Sequence, residues 1–179
     1  TTVGGIPLTG GLNVVQLTVT DRAGNAVSEA RSLTVDDQAP AVVFAPPFHM
    51  GSWTGDAASD DDPASPGLDK VVSVLVDADA SSEPIGSEIA VELRLTDGGT
   101  DVTVLASQQM TYTGTPTVLR FDFDIGLPDG SYQLLAAVSD QVGNTNLAMV
   151  NVVVDLYPFD VLISSPATES CTTRAAFAM

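Results

Sequence analysis

Apolar and polar residues alternate with period two along much of this chain. Ile89, Val91, Leu93 and Leu95 interleave with Ala90, Glu92, Arg94 and Thr96. Leu119, Phe121, Phe123 and Ile125 interleave with Arg120, Asp122 and Asp124. That period puts one set of side chains on each face of an extended strand, so each run predicts a half-buried β-strand. Shorter runs at Val42 and Phe44, at Val72, Val74 and Val76, and at Val102 and Val104 read the same way. Asp97-Gly98-Gly99 supplies hairpin-turn chemistry between two of these strands. With a hairpin over 132–154, the central region holds about seven strands and no helical period. The expected fold is all-β, an immunoglobulin-like antiparallel β-sandwich.

The hairpin occurs twice. Residues 8–42 align without a gap on residues 127–161, Leu8 falling on Leu127, a spacing of 119 residues. Leu8, Gly11, Val19, Asp21, Gly24, Asn25, Val35, Asp36 and Val42 meet Leu127, Gly130, Val138, Asp140, Gly143, Asn144, Val154, Asp155 and Val161, each identical. In both copies a Gly turn leads into alternating strand residues: Val15, Leu17 and Val19, or Leu134, Ala136 and Val138. An Asp-x-x-Gly-Asn turn follows, in which Asp accepts backbone hydrogen bonds and Gly and Asn tolerate positive φ. The return strand runs through Leu33 and Val35, or through Val150, Val152 and Val154.

The repeat sets the expected boundaries. Residues 1–37 read as the closing hairpin of a preceding module. Residues 38–156 read as one complete module. Residues 157–179 read as the start of a following module or a disordered tail, since Val161, Ile163 and Pro166 stand where Val42, Phe44 and Pro47 do. With no initiating Met, the chain is expected to be part of a longer repeat protein.

The stretches Leu127-Pro128-Asp129-Gly130-Ser131-Tyr132, Asp140-Gln141-Val142-Gly143-Asn144 and Val35-Asp36-Asp37-Gln38-Ala39-Pro40 resemble bacterial immunoglobulin-like (Big-type) tandem repeats. In that family a strand ending in Val-Asp leads through a short linker to an Ala-Pro that opens the next module. The resemblance covers the hairpins and linkers and is poor over 46–118. It implies a spacer or stalk in a large surface adhesin, or an accessory domain of a secreted hydrolase, at an extracellular or cell-surface location. The Cys pair and core Trp of antibody domains are missing. Leu134 stands where the second Cys would fall, and the only Trp, Trp53, is expected in a loop. Tyr132 is placed to make a tyrosine-corner hydrogen bond.

Charge narrows the partners. The chain has 179 residues with 23 acidic against 6 basic side chains, a formal net charge of −17. Such a field repels phosphate backbones and anionic headgroups, so neither nucleic acid nor membrane insertion is expected. It attracts cations. Hydrophobic residues make up 44% and aromatic residues 6%, so a core must be largely aliphatic. One His, His49, and one Cys, Cys171, with no Ser-centred elbow, leave no cast for nucleophilic catalysis. The chain is expected not to be an enzyme.

The acids are mostly Asp, which suits turns and compact calcium loops. In a sandwich, alternate loops gather at opposite ends. The linker end collects Asp36, Asp37, Asp77, Asp79, Glu83 and Asp140. The far end collects Asp56, Asp60, Asp61 and Asp62, from the insert before the second strand, with Asp129 and Asp155. Turn formation is the competing role for Asp21 and Asp140, and a solvated charge run for Asp60 to Asp62. The expected cofactor is calcium or none.

Three functions follow. The first is a structural or adhesion spacer whose partners are the neighbouring modules, stiffened by calcium at the junctions. The second is a module binding surface glycan or protein through the insert 46–69, with Phe48, His49 and Trp53. The third is an accessory domain of a secreted hydrolase.

Overall fold

In the computed structural model, residues 5–96 and 102–157 are described. The Asp97-Gly98-Gly99 turn, Cys171 and nearly all of the 157–179 segment lie outside them. The described residues are all-β, with one short 3-10 turn at Phe48–Met50.

Strands β1 (Gly11–Thr20) and β2 (Ala26–Val35) pair antiparallel as a separate two-stranded sheet. The following strands are β3 (Ala41–Phe44), β4 (Ser52–Gly55), β5 (Leu68–Asp77), β6 (Glu88–Thr96), β7 (Thr103–Thr111), β8 (Val118–Leu127), β9 (Gly130–Ser139) and β10 (Thr145–Val154). They form a three-stranded sheet, β3-β5-β8, and a five-stranded sheet, β4-β10-β9-β6-β7. All pairs are antiparallel except β4 with β10. Strands one, two and five of the familiar sandwich order lie in one sheet and the closing hairpin in the other, which is immunoglobulin-like connectivity.

The period-two pattern explains the layers. On β8, Leu119, Phe121, Phe123, Ile125 and Leu127 are buried while Arg120, Asp122 and Asp124 face outward. They share one aliphatic core with Val72, Val74 and Val76 of β5, Ile89, Val91 and Leu93 of β6, and Leu134, Ala136, Val138, Val150, Val152 and Val154 of the closing hairpin. Two sheets burying one face each against the other is the two-layer arrangement of a sandwich.

The structure adds one strand to the expected seven, and corrects the place of Trp53. The insert 46–69 contains β4, which runs parallel to the end of β10, with Trp53 opposite Val152. Phe48 is 1% exposed, and its ring centroid lies 4.6 Å from that of the half-buried Trp53. Phe48 belongs to the core and Trp53 packs against it. Gly55 permits the close approach: a Cβ there would fall 2.6 Å from Leu68 Cδ2 and 2.6 Å from the Trp53 ring. Tyr132 makes the expected corner, its hydroxyl donating to the Pro128 carbonyl at 3.0 Å.

Candidate metal centre

The Asp-x-x-Gly-Asn turns do the same local work in both hairpins. Asp21 Oδ1 accepts from the amides of Ala23 and Asn25, and Oδ2 from the Asn25 side chain. Asp140 Oδ1 accepts from the amides of Val142, Gly143 and Asn144, and Oδ2 from the Asn144 side chain at 2.8 Å. Both aspartates are therefore turn formers. Their surroundings differ. Asp21 is exposed, whereas Asp140 is 7% exposed and lies beside two further acids.

Those acids are Asp36, from the linker leaving β2, and Glu83, from the loop joining β5 to β6. Asp36, Glu83 and Asp140 each bring one carboxylate oxygen to within 4.8 Å of the others. Glu83 is 6% exposed and Asp36 half-buried. Glu83 is held by its own loop: its amide donates to the Ala78 carbonyl at 3.0 Å, and Ser81 Oγ donates to Glu83 Oε1 at 3.2 Å. Burial pushes the Glu83 carboxyl up, Ser81 opposes that, and the charges of Asp36 and Asp140 raise it further. Asp36 and Glu83, with Gln141 and Val142, also line a cleft of ≈ 450 Å³.

Two asparagines tie the linker to the closing hairpin. Asn144 Nδ2 lies 3.3 Å from the Asp36 carbonyl oxygen and 3.4 Å from that of Gln38. Asn146 Nδ2 donates to the Pro40 carbonyl at 3.2 Å. Neither role was assigned from sequence. For Asn146 a signal existed, because its counterpart in the first hairpin is Val27. For Asn144 there was none, since Asn25 is identical and makes only the local turn.

The other linker-end acids go elsewhere. Asp77 Oδ1 accepts from the amides of Asp79 and Ala80, closing its own turn. The Asp79 carbonyl accepts from the Ser82 amide. Asp37 is exposed, its carboxylate lying over Gly10. At the far end, Asp56 accepts from the Ser59 amide and hydroxyl, and Asp60 from the amides of Asp62 and Asp69. Asp61 pairs with Lys70 Nζ at 2.6 Å, and that hydrogen bond holds its carboxyl below the usual range. Asp62 accepts from the Ala64 amide, and Asp129 from the Leu156 amide. The Asp155 amide donates to the Gly55 carbonyl, so insert and exit do adjoin. Among the described residues, only Asp36, Glu83 and Asp140 bring three possible ligand groups together.

Oxygens bound to one calcium at about 2.3–2.6 Å lie no more than about 5 Å apart. The triad meets that limit, and its all-oxygen donors suit a hard cation better than zinc or copper. The three acids could therefore hold a metal ion. Asp140 Oδ1 already takes three amides and Oδ2 the Asn144 side chain, so Oδ2 is the less committed of its two oxygens.

No protein-family model matches this chain, and a search of curated proteins finds no match either.

Proposed function

We propose that this chain is a non-catalytic structural unit of an extracellular repeat protein, and that calcium bound by Asp36, Glu83 and Asp140 stiffens the junction before the complete module. One observation carries the reading. Asp36 belongs to the linker, while Glu83 and Asp140 belong to two loops of the module that follows. A cation there would cross-link three chain segments and cancel the repulsion that raises Glu83. Without it, three carboxylates converge in a partly dry site, which favours an undocked linker.

Part of the donor set is committed to turn hydrogen bonds, so affinity in the weak range of extracellular modules, about 10⁻⁴–10⁻³ M, is expected. The junction would then be stiff where calcium is abundant and loose where it is scarce. The resemblance of the linker Val35 to Pro40 to bacterial surface repeats supports a spacer or adhesion role.

Thermal unfolding of the full chain in calcium and in chelator tests this. An ion at 100 times its Kd stabilises by about 2.7 kcal/mol, a shift of several degrees. Asp36→Asn should abolish the shift. Coincident melting curves in calcium and chelator would remove the ion from the account.

A further inference from the structure

We propose that one face of the β1–β2 hairpin is a docking surface for the remaining strands of a unit built like residues 38–156. Those strands are a three-stranded sheet of the β3-β5-β8 kind laid across the face and a β6-like strand on the free edge of β1.

The chain itself shows what such a face meets. The 119-residue spacing places Val15, Leu17, Val19, Leu33 and Val35 where the complete module has Leu134, Ala136, Val138, Val152 and Val154. The strand registers agree with it: Val19 pairs with Val27 as Val138 pairs with Asn146. In the complete module the five residues are 0–3% exposed, because β5 and β8 lie over them. In the first hairpin Leu17 is 58% exposed, Val19 56% and Leu33 37%, while Val15 and Val35 are half-buried. The edges differ likewise. β9 pairs with β10 on one side and β6 on the other, whereas among the described residues β1 pairs with β2 alone. Both the face and the edge therefore lack the partners that the same pattern has further along the chain. A lone two-stranded hairpin is marginal in water, and aliphatic residues aligned on one face gain stability only when covered.

One position specifies the occupant more narrowly. Arg31 stands where the complete module has the buried Val150, and Glu29, where it has Ala148, pairs with Arg31. A covering sheet must accept that ion pair, so it is aliphatic over most of its face with a carboxylate or carbonyl oxygen opposite Arg31. A second copy of the hairpin, packed face to face, fits less well. It would cover the face but leave the β1 edge without the strand partner that β6 gives β9. The proposal is independent of any ion at the junction.

The test takes residues 8–179 and extends them upstream with a copy of residues 38–126, joined to Leu8, the counterpart of Leu127. Backbone amide exchange across β1 and β2 is compared in the chain alone and in the extended chain. Protection by roughly 100-fold or more, approaching that of β9 and β10, is expected, since core strands exchange only through large openings. A second extended chain carries Glu29→Ala with Arg31→Val, the residues of the complete module. Protection in that chain only also supports the docking face and assigns the ion pair to partner selection. Unchanged exchange in both extended chains overturns the proposal. So does concentration-dependent protection and dimerisation of the unextended chain, which would make the occupant a second copy.

Discussion

The side-chain amide of Asn144 lies 3.3 Å from the backbone carbonyl of Asp36, a residue 108 positions earlier in the chain. Asn144 also completes the Asp140 turn, at 2.8 Å. One side chain thus couples a local turn to the entering linker. Its counterpart Asn25 makes the turn alone. The pair forms an internal control. Asn144→Ala should cost about 1–3 kcal/mol and release the linker, because the Asp140 carboxylate and the part-buried Asp36 carbonyl lose their donor. Asn25→Ala, at an exposed turn, should leave the melting of residues 38–156 unchanged within about 0.5 kcal/mol. Chemical denaturation of both variants measures the difference. Equal losses would mean that the linker contact contributes nothing.

Glu83 should make the metal-free chain less stable as pH rises through its folded pKa. Burial and two neighbouring carboxylates raise that pKa above the unfolded value. Between the two values the folded state binds more protons than the unfolded state, so unfolding free energy falls with rising pH. Below the unfolded value the effect vanishes, and above the folded value the loss is complete. In chelator, Glu83→Gln should therefore raise the melting temperature at neutral pH and flatten this part of the profile. In calcium the same variant should lose the ion-induced gain. A wild-type profile in chelator that matches Glu83→Gln across the acid range would contradict the geometry.

The fold was legible because alternation survives in most of the long strands; β7 is an exception, since Val102 and Val104 are exposed and its half-buried positions are Ala106, Gln108 and Met110. Ile89 to Leu95 and Leu119 to Ile125 state their inward faces directly, and tertiary packing follows them. β4 was illegible for a physical reason. Ser-Trp-Thr-Gly is too short to show a period, and it is a strand only because β10 offers an edge and Phe48 offers a surface. The metal candidates were half legible. Loop topology placed Asp36, Glu83 and Asp140 at one end, but it could not separate them from Asp77 and Asp79. That separation depends on which carboxylates bend back to their own amides. Asp77 does so beyond reach of the cluster, while Asp140 does so within it.

Tyr132 anchors the start of the closing hairpin through the Pro128 carbonyl. Tyr132→Phe keeps the ring and removes that bond together with the longer one to the Asp129 carbonyl at 3.4 Å. The expected loss is about 1 kcal/mol, or roughly 3–5 °C in melting temperature, with no change in the calcium response. Differential scanning calorimetry with and without calcium checks both parts. A change in the calcium response would show that the corner communicates with the opposite end of the module.

Gly55 decides whether the insert can join the sheet. Its Cβ position is occupied by Leu68 Cδ2 and the Trp53 ring, each 2.6 Å away. Leu68 is fully buried and cannot yield without disturbing the core, so Gly55→Ala must displace β4 or rotate Trp53. Overpacking of this kind costs about 1–3 kcal/mol. The displacement has its own reporter, since Trp53 is the only tryptophan in the chain. Moving it off Phe48 exposes the indole, so its emission should shift to the red in the folded state, before any unfolding. Phe48→Ala should produce the same shift with a larger loss, about 3–5 kcal/mol, from the cavity left in the core. If both variants keep the wild-type emission maximum, Trp53 does not rest on Phe48 in solution, and β4 is not part of the five-stranded sheet.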